Sequence, residues 1–350
     1  MTSMPEYDLH GRGMLVDDGC GLYPRHVSSH GEPRNCDNQS MKRLMGLLFA
    51  AIAEVGFAST FIFGSALTKE CGVSPEVLSF LRFAIAGTLM LAVTGMTAKG
   101  RAKLFAPTRA DWVKMSWLGP VGTSVMAWCV FMGCARVSAA NASMADALTP
   151  LTIFAVATVM TRKVDAKGLA GLFCGLIGAL LVMQIVDGDG IELSAYSVGD
   201  VFIFLAAATW GVYTVYGHEQ INRLGSSVFT IWTMLIGAAA IGLILLVATF
   251  LSSTFNLQPS TSFVWPNTAK AWLLVSGLGI VSTLMPFWTW NAAQKYLPMS
   301  VLGISAYFTP VITVALAIVF LDEPATLLQW LGTIFIVASA LVENRRKISK

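Results

Sequence analysis

Charged side chains are scarce in this sequence: Asp, Glu, Lys and Arg make up 12% of its 350 residues, whereas soluble domains usually carry about a quarter. Hydrophobic residues account for 55%, and the mean hydropathy is +0.67. The apolar residues fall in repeated runs close to the roughly 20 residues that a helix needs to cross about 30 Å of hydrocarbon. This composition argues against a soluble globule and predicts an integral membrane protein that is embedded in the lipid bilayer.

Catalytic and nucleotide-binding motifs are missing from the sequence as well. The segment His218-Glu219-Gln220 is not an H-E-x-x-H zinc motif, because Asn222 occupies the position of the second histidine. No P-loop, G-x-S-x-G sequence or dinucleotide fingerprint lies in a strand-to-helix context. We therefore expect no enzyme activity, no cofactor and no drive from ATP.

Paired cysteines are also lacking. The six cysteines show no C-x-x-C spacing, so the sequence indicates neither a disulfide framework nor a metal site. They are Cys20, Cys36, Cys71, Cys129, Cys134 and Cys174.

Residues 1–40 differ from everything after them. They are polar and rich in Gly, Pro, His and Asp, and they contain neither helical periodicity nor the apolar core of a signal peptide. We expect a disordered N-terminal tail here. Two cations, Lys42 and Arg43, stand just after Met41 and ahead of the first apolar run, as at a natural start. The tail is therefore interpreted as either a mis-assigned start or a dispensable extension.

The apolar runs predict an all-α integral membrane protein with ten transmembrane helices. They lie at about 44–66, 76–96, 112–132, 139–160, 168–186, 199–217, 227–250, 271–291, 298–320 and 326–343.

The basic residues occupy the connections between these runs rather than a single face, which argues against nucleic-acid binding. If the N-terminus is cytoplasmic, only Lys69, Arg136 and Lys270 among the cations after residue 40 fall on the outer side. Such an excess of Lys and Arg on one side identifies the cytoplasmic side. We therefore expect a multi-pass protein of the cytoplasmic membrane with both termini in the cytoplasm, including a basic C-terminal tail at 344–350.

The connection at 187–198 divides the predicted helices five and five. It carries acidic residues and no cation, as expected of an extracytoplasmic linker between a first repeat at 44–186 and a second at 199–343. Thr149-Pro150 and Thr309-Pro310 begin similar runs in the two halves. Because each half has an odd number of spans, the second must enter the membrane upside down, as in many secondary transporters.

Several segments resemble the drug/metabolite transporter superfamily, specifically its EamA-type branch with two tandem EamA domains, over residues 46–343. They are Phe80–Gly87, Ala135–Met144 with Thr149-Pro150, Ala208–Tyr213, Tyr296–Ser300 with Tyr307–Pro310, and Phe320–Pro324. The resemblance implies ten helices around a central cavity lined mainly by helices 1, 3, 4, 6, 8 and 9. In one departure from the family pattern, Glu54 replaces the tryptophan usual early in helix 1, which Trp210 mirrors in helix 6.

Three ionisable residues lie deep in predicted membrane helices, where charge is costly enough to suggest a function. Glu54 lies about ten residues into helix 1, roughly 15 Å along it and near the bilayer midplane. Asp146 lies about seven residues into helix 4 and Arg82 about six into helix 2. Glu54 and Asp146 are predicted to face the cavity and to couple protons or bind a cationic group. Alternatively, either pairs structurally with Arg82, which matches a family pattern that looks structural, or with a backbone group.

Aromatic and amide side chains complete the predicted substrate site. Rings in a pore can stack on a planar substrate or a cation, although many serve only packing or the interfacial belt. The aromatic set comprises Trp128, Trp210, Tyr213, Tyr216, Trp288, Trp290 and Tyr307. The predicted substrate-binding residues are Glu54, Trp128, Asn141, Asp146, Trp210, Tyr213, Trp288, Asn291 and Tyr307.

Proline and glycine within the apolar runs suggest movement and close packing. Pro150, Pro286 and Pro310 would free backbone carbonyls and are predicted gating kinks. Glycines permit close helix contact, either for packing within the chain or for a homodimer. They are Gly171, Gly175, Gly178, Gly237 and Gly242.

These features together predict a secondary transporter of a small organic metabolite that works by alternating access. The resemblance favours export, of amino acids or related metabolites and drugs, with a proton gradient or the substrate's own gradient as the energy source. Two alternatives stay open. One is an importer or uniporter, for example of a vitamin or nucleoside, and the other is a membrane scaffold or sensor without transport.

Overall fold

The structure is a computed structural model that describes residues 36–146, 148–162, 186–187, 190–191, 198–254, 263–322, 327, 330–332 and 334–335. The regular secondary structure of this part of the chain is helical apart from one two-stranded β-ladder. The α-helices are α1 Cys36–Ser65, α2 Pro75–Gly95, α3 Ala98–Leu104, α4 Arg109–Gly119, α5 Met126–Cys134, α6 Ala139–Asp146, α7 Thr149–Thr161, α8 Val198–Leu224, α9 Ser226–Thr254, α10 Ala269–Gly279, α11 Met285–Ala293, α12 Met299–Ser305 and α13 Phe308–Phe320. Strand β1 (Val186–Asp187) pairs antiparallel with β2 (Gly190–Ile191).

Within the described residues, seven helical stretches are long and apolar enough to cross a membrane. The chain is therefore a multi-pass membrane protein. The seven are Met41–Glu70, Pro75–Gly95, Arg109–Cys134, Val198–Leu224, Ser226–Thr254, Ala269–Ala293 and Val301–Phe320. A shorter apolar helix covers Thr149–Thr161.

The described residues cover eight of the ten predicted spans and only small parts of the other two. The eight that fall within the described residues are helical there. The predicted span at 168–186 lies outside them except for Val186, and the span at 326–343 is helical at the few residues described. The C-terminal tail at 344–350 and residues 1–35 also lie outside the described residues.

Helix α1 begins at Cys36, so its first turns include residues 36–40 of the segment that is predicted as a tail. The rest of that segment lies outside the described residues.

Two predicted spans contain a change from one α-helix to the next. Within 139–160, α6 ends at Asp146 and α7 begins at Thr149; within 298–320, α12 ends at Ser305 and α13 begins at Phe308, inside the apolar helical stretch Val301–Phe320. Pro150 and Pro310 lie in the first turns of α7 and α13. A proline lacks the N–H that would continue the preceding helix, and its ring clashes with the preceding turn. Both proline-containing runs are therefore two helices separated by a short break.

Three stretches of wider π-helix interrupt the long spans, at Ala66–Glu70, Pro120–Val125 and Ile280–Leu284. The second, here called the first-half π turn, joins α4 to α5, and the third, here called the second-half π turn, joins α10 to α11. The flanking helices have equal lengths in the two halves, 11 residues before each turn and 9 after it. Such insertions often mark functional positions.

The helices pack around a core of large buried side chains. Helix α2 packs mainly on α9, α1 on α11 and α13, and α8 on α5 and α7. The largest fully buried side chains include Trp290, Arg82, Tyr213, Phe131 and Phe287. A fully buried arginine among aromatic rings directs attention to the interior of the bundle.

Candidate functional site

A cavity lies inside the helix bundle between α1, α2, α5, α8 and α11, with the first turns of α7 and α13 completing its wall. The centres of water-sized spheres fit within about 50 Å³ of it, and the roughly 520 Å³ of atom-free space around these positions includes open solvent. Its aliphatic and sulfur-containing wall residues are Met126, Val130, Ala206 and Ala306. The remaining wall residues are charged, hydroxyl-bearing or aromatic.

Glu54 supplies the carboxylate of the cavity and is 2% exposed. Its Oε1 accepts a hydrogen bond of 3.0 Å from Ser305 Oγ, and its Oε2 accepts one from Thr309 Oγ1. Ser305 is the last residue of α12 and Thr309 the second of α13. The break between these helices therefore brings two hydroxyl groups onto one carboxylate and fixes its orientation at the positive end of α13.

Arg82 supplies a positive charge to the same cavity and is 1% exposed. Its Nε donates to Thr283 Oγ1 at 2.9 Å and its Nη2 to the Ser282 carbonyl at 3.2 Å, both in the second-half π turn. Thr60, another wall residue, donates to the same carbonyl at 3.2 Å. The guanidinium carbon lies 5.0 Å from the ring centre of Phe83. The Nη1 atom has no hydrogen-bond partner among the described residues.

Five aromatic rings line the wall, and four of them, all except that of Phe61, pack against one another. The ring centres of Phe57 and Trp210 are 5.3 Å apart, and those of Trp210 and Phe287 are 5.0 Å apart. Trp290 completes the group at 5.9 Å from Trp210 and 6.0 Å from Phe57. Most of these contacts are edge to face, the arrangement that aromatic pairs favour. Such a wall suits a flat apolar group of a ligand.

Of the predicted site residues, the structure brings Glu54 and Trp210 together in this wall. Tyr213 and Asn291 lie next to it but in a separate network. Asn291 Nδ2 donates to Tyr213 Oη at 3.2 Å and to Thr230 Oγ1 at 2.8 Å, and Asn291 Oδ1 accepts from Gln294 Nε2 at 3.1 Å. This network joins α8, α9 and α11.

The two other predicted tryptophans have partners outside the described wall of the cavity. Trp128 Nε1 donates to Glu76 Oε1 at 2.8 Å. Trp288 Nε1 donates to Ser227 Oγ at 2.9 Å, and its ring packs 5.8 Å from that of Phe49. Their indole groups connect helices in this conformation.

The remaining predicted residues lie around the helix breaks. Asn141 lies half-buried in α6, and Tyr307 lies 4% exposed between α12 and α13. Asp146 is the last residue of α6, and its side chain lies outside the described part of the chain. Of the predicted gating residues, Pro286 lies within the helical stretch Ala269–Ala293 and Pro310 within Val301–Phe320, and all three, including Pro150, lie in the first turn of an α-helical segment.

The sequence analysis did not select five residues that line the cavity with hydroxyl or aromatic groups, and it named Arg82 and Trp290 without placing them among the substrate-binding residues. The five are Phe57, Thr60, Phe61, Phe287 and Thr309. A periodic signal existed for some of them. Phe57 follows Glu54 by three positions and Trp290 follows Phe287 by three, the spacing of neighbours on one helix face.

A helical membrane protein whose bundle encloses a cavity with a carboxylate, a guanidinium group and a ring of aromatic side chains has the architecture of a small-molecule carrier. Comparison with known proteins gives the family. The chain belongs to the EamA-like transporter family, which matches residues 44–184 and again 197–344.

Its relatives are distant but extend over most of the chain. An uncharacterized transporter of Archaeoglobus fulgidus is 26% identical over 86% of this chain and 97% of its own length. The aromatic amino acid exporter YddG of Ancylobacter novellus is 24% identical over 76% of this chain and 87% of its own length. A solved crystal structure at 23% identity covers 86% of this chain and 99% of its own, with a TM-score of 0.61, and so shares the fold.

Proposed function

We propose that this protein is a secondary transporter that exports a small organic metabolite across the cytoplasmic membrane by alternating access. Family membership supports transport. Two relatives of 24% and 25% identity, from Ancylobacter novellus and Salmonella typhimurium, are named aromatic amino acid exporters, which favours export and an amino acid or a related metabolite as substrate. The cavity supports the same substrate class, because it combines both signs of charge with a wall of rings.

The proposed architecture is ten transmembrane helices in two inverted five-helix repeats, at 44–186 and 199–343. Two family matches in one chain support a tandem repeat. Matching elements support it too, since each half contains, in this order, an 11-residue helix, a π turn, a 9-residue helix, a short helix of 8 or 7 residues and, after a break, a 13-residue helix. The family gives no reason to expect a cofactor, and a homodimer through small-residue faces stays a prediction.

Glu54 carries the proposed mechanism. The mechanism is based on a single observation. The carboxylate of Glu54 is buried in the cavity and is oriented by Ser305 and Thr309, which lie on either side of the break between α12 and α13. A group bonded to this break can change its environment when α12 and α13 move relative to α1. We propose that Glu54 binds and releases one proton per transport cycle and that the breaks at Pro150 and Pro310 are the moving parts.

The test is exchange in proteoliposomes with an imposed pH gradient, using pooled amino acids, nucleosides, vitamins and cationic amines. Glu54→Gln keeps the hydrogen-bonding shape but cannot ionise, so we expect gradient-driven flux to fall at least tenfold. Glu70→Gln is the matched control, because Glu70 is exposed and pairs with Lys270 at the end of its helix; its flux should stay within about twofold of wild type. Full pH-dependent exchange by folded Glu54→Gln protein would reject the mechanism.

A further inference from the structure

Two residues of the cavity wall each have one buried polar atom without a hydrogen-bond partner among the described residues. Among the described residues, four buried side-chain nitrogen or oxygen atoms have no hydrogen-bond partner, and two of the four belong to Arg82 and Trp290. These two residues line the same cavity, and both unpartnered atoms, Arg82 Nη1 and Trp290 Nε1, are N–H donors. Of the other two, Asp111 Oδ1 lies against Arg223 in an ion pair, and Thr214 is not a wall residue.

Unsatisfied donors of this kind are costly. A buried N–H group without an acceptor keeps the full penalty of losing its bonds to water, and this penalty is larger when the group is charged. The guanidinium group of Arg82 is 1% exposed inside a membrane helix, where a charge is additionally expensive. An acceptor that arrives with a ligand would remove this cost, and a carboxylate suits it well because its two oxygens can accept from two donors.

The fold itself does not require a cation at this place. Arg82 bonds the second-half π turn from α2. The first-half π turn is bonded to α9 by hydroxyl groups alone, Ser124 Oγ to the Gly237 carbonyl at 2.6 Å and Thr123 Oγ1 to the Thr233 carbonyl at 3.5 Å. The first-half π turn is thus joined to its neighbouring helix without a charged side chain. The positive charge of Arg82 at the corresponding contact of the second-half π turn therefore needs another explanation.

We infer that Arg82 and Trp290 form the binding site for the carboxylate of the transported substrate, which makes that substrate a zwitterionic amino acid with a flat apolar side chain. Glu54 in the same cavity supplies the opposite charge for the ammonium group, and Phe57, Trp210 and Phe287 supply contact for the side chain. The carboxylate of Glu54 would then hold either a proton or the ammonium group of the substrate, but not both at once. Such competition for one site couples export of the substrate to import of a proton. This inference rests on the proposed transport function.

The inference separates four related compounds that share an indole ring. Tryptophan carries both charges, tryptamine and tryptophanamide lack the carboxylate, and indole-3-propionate lacks the ammonium group. We expect proteoliposomes to exchange labelled tryptophan, and we expect tryptamine and tryptophanamide to compete at least tenfold more weakly than unlabelled tryptophan.

Trp290→Phe is the informative variant, because it removes the N–H donor, keeps a ring in the wall and breaks no hydrogen bond within the described residues. We expect the KM for tryptophan to rise about fivefold, while competition by tryptamine stays unchanged. Arg82→Lys should raise that KM further, since an ammonium group cannot bond the second-half π turn through two nitrogens and still present a third N–H donor from the same planar group. Trp265→Phe is the control; Trp265 is 45% exposed and packs on Phe80 outside the cavity, so its KM should match wild type.

The outcomes distinguish the inference from the proposed function. Exchange of tryptophan with equal competition by tryptamine, and an unchanged KM in Trp290→Phe, would overturn the carboxylate site and leave a transporter of ring-bearing compounds. Absence of exchange for all four compounds, with folded wild-type protein, would overturn both the amino-acid substrate and the site that depends on it. Arg82 also bonds the second-half π turn, so Trp290→Phe keeps the test valid if Arg82 variants fail to fold.

Discussion

Individual residues in this protein act through partners that are remote in sequence. Glu54 is separated by 251 positions from Ser305 and by 255 from Thr309, yet both donate to its carboxylate. The depth of Glu54 in an apolar run was enough to predict a functional carboxylate, because charge at the bilayer centre is costly. The hydroxyl groups that orient it could not be predicted, since serine and threonine are common in membrane helices and only the fold brings these two to α1.

Arg82 differs from Glu54 in that the sequence suggested a structural role for it. Its position in the family-like segment Phe80–Gly87 suggested a structural role, and the structure does give it structural bonds to Ser282 and Thr283. Its third nitrogen and its place in the cavity wall were invisible in the sequence. A residue can thus match a structural pattern and still present a free donor, and only the arrangement of its neighbours separates the two roles.

Asn291 offers a prediction for a residue that the sequence suggested as a ligand. It is fully buried and bonds Tyr213, Thr230 and Gln294. In Asn291→Ala these three groups lose a common partner, and each such loss inside a membrane protein costs about 0.6 kcal/mol on average, with a maximum of about 1.7. We expect a destabilisation of about 1–3 kcal/mol, visible as a lower Tm in detergent, with the substrate KM within about twofold of wild type.

The control for this network is Thr289→Ala. Thr289 lies on the same helix, is 2% exposed and bonds only backbone carbonyls of its own helix, those of Met285 and Pro286, so its Tm should fall less than that of Asn291→Ala. A large rise in KM for Asn291→Ala with an unchanged Tm would instead assign Asn291 to substrate binding, as the sequence analysis suggested.

At the scale of whole elements, the positions of long helices followed from apolar runs, whereas their interruptions did not. The runs near 44–66, 76–96 and 227–250 are continuous α-helix in the structure. The π turns at Pro120–Val125 and Ile280–Leu284 have no hydropathy signal, because one extra residue per turn leaves the apolar composition unchanged. The helix breaks had a signal in Pro150 and Pro310, but it was interpreted as a kink within one helix.

The contact between α1 and α11 provides a prediction for an element interface. A Cβ atom at Gly56 would lie 2.7 Å from Cβ of Pro286, the second residue of α11. Gly56→Ala therefore forces α1 away from α11, and overpacking of this kind costs typically about 1–3 kcal/mol. Since Glu54 and Phe57 flank this glycine in the cavity wall, we expect both a lower Tm and a several-fold lower exchange rate.

Gly95→Ala is the matched control for Gly56→Ala. Gly95 is the last residue of α2, and a Cβ atom there would meet nothing within 4 Å. Alanine is favoured over glycine in helices by up to about 1 kcal/mol, so this variant should be as stable as wild type or slightly more so. Equal Tm values and exchange rates for the two variants would show that α1 and α11 do not depend on this close approach.

Across the whole molecule, contacts between remote segments gather the cations at two ends of the bundle. At one end, Lys270 pairs with Glu70 at 2.8 Å and Lys69 donates to the Val137 carbonyl at 2.6 Å. At the other end, Lys114 pairs with Glu219 at 2.6 Å and Arg223 pairs with Asp111. The cations that the sequence assigned to the outer side thus stand at one end. The alternation of apolar runs and polar connections was enough to predict which cations share one end. The order in which the helices pack around the cavity could be seen only in the structure.

These two ends allow a direct test of the proposed inversion. Lys114 and Lys270 lie near the starts of the helical stretches Arg109–Cys134 and Ala269–Ala293, which match between the repeats. The side chains are 42% and 65% exposed and so accessible to reagents. In a variant without native cysteines, we expect an impermeant maleimide to label Lys270→Cys in intact cells, and Lys114→Cys only after permeabilisation. If both are labelled from outside, the matching helices cross in the same direction and the repeats are parallel. If only Lys114→Cys is labelled, the repeats are inverted but the termini face outward, which would contradict the charge rule for this chain.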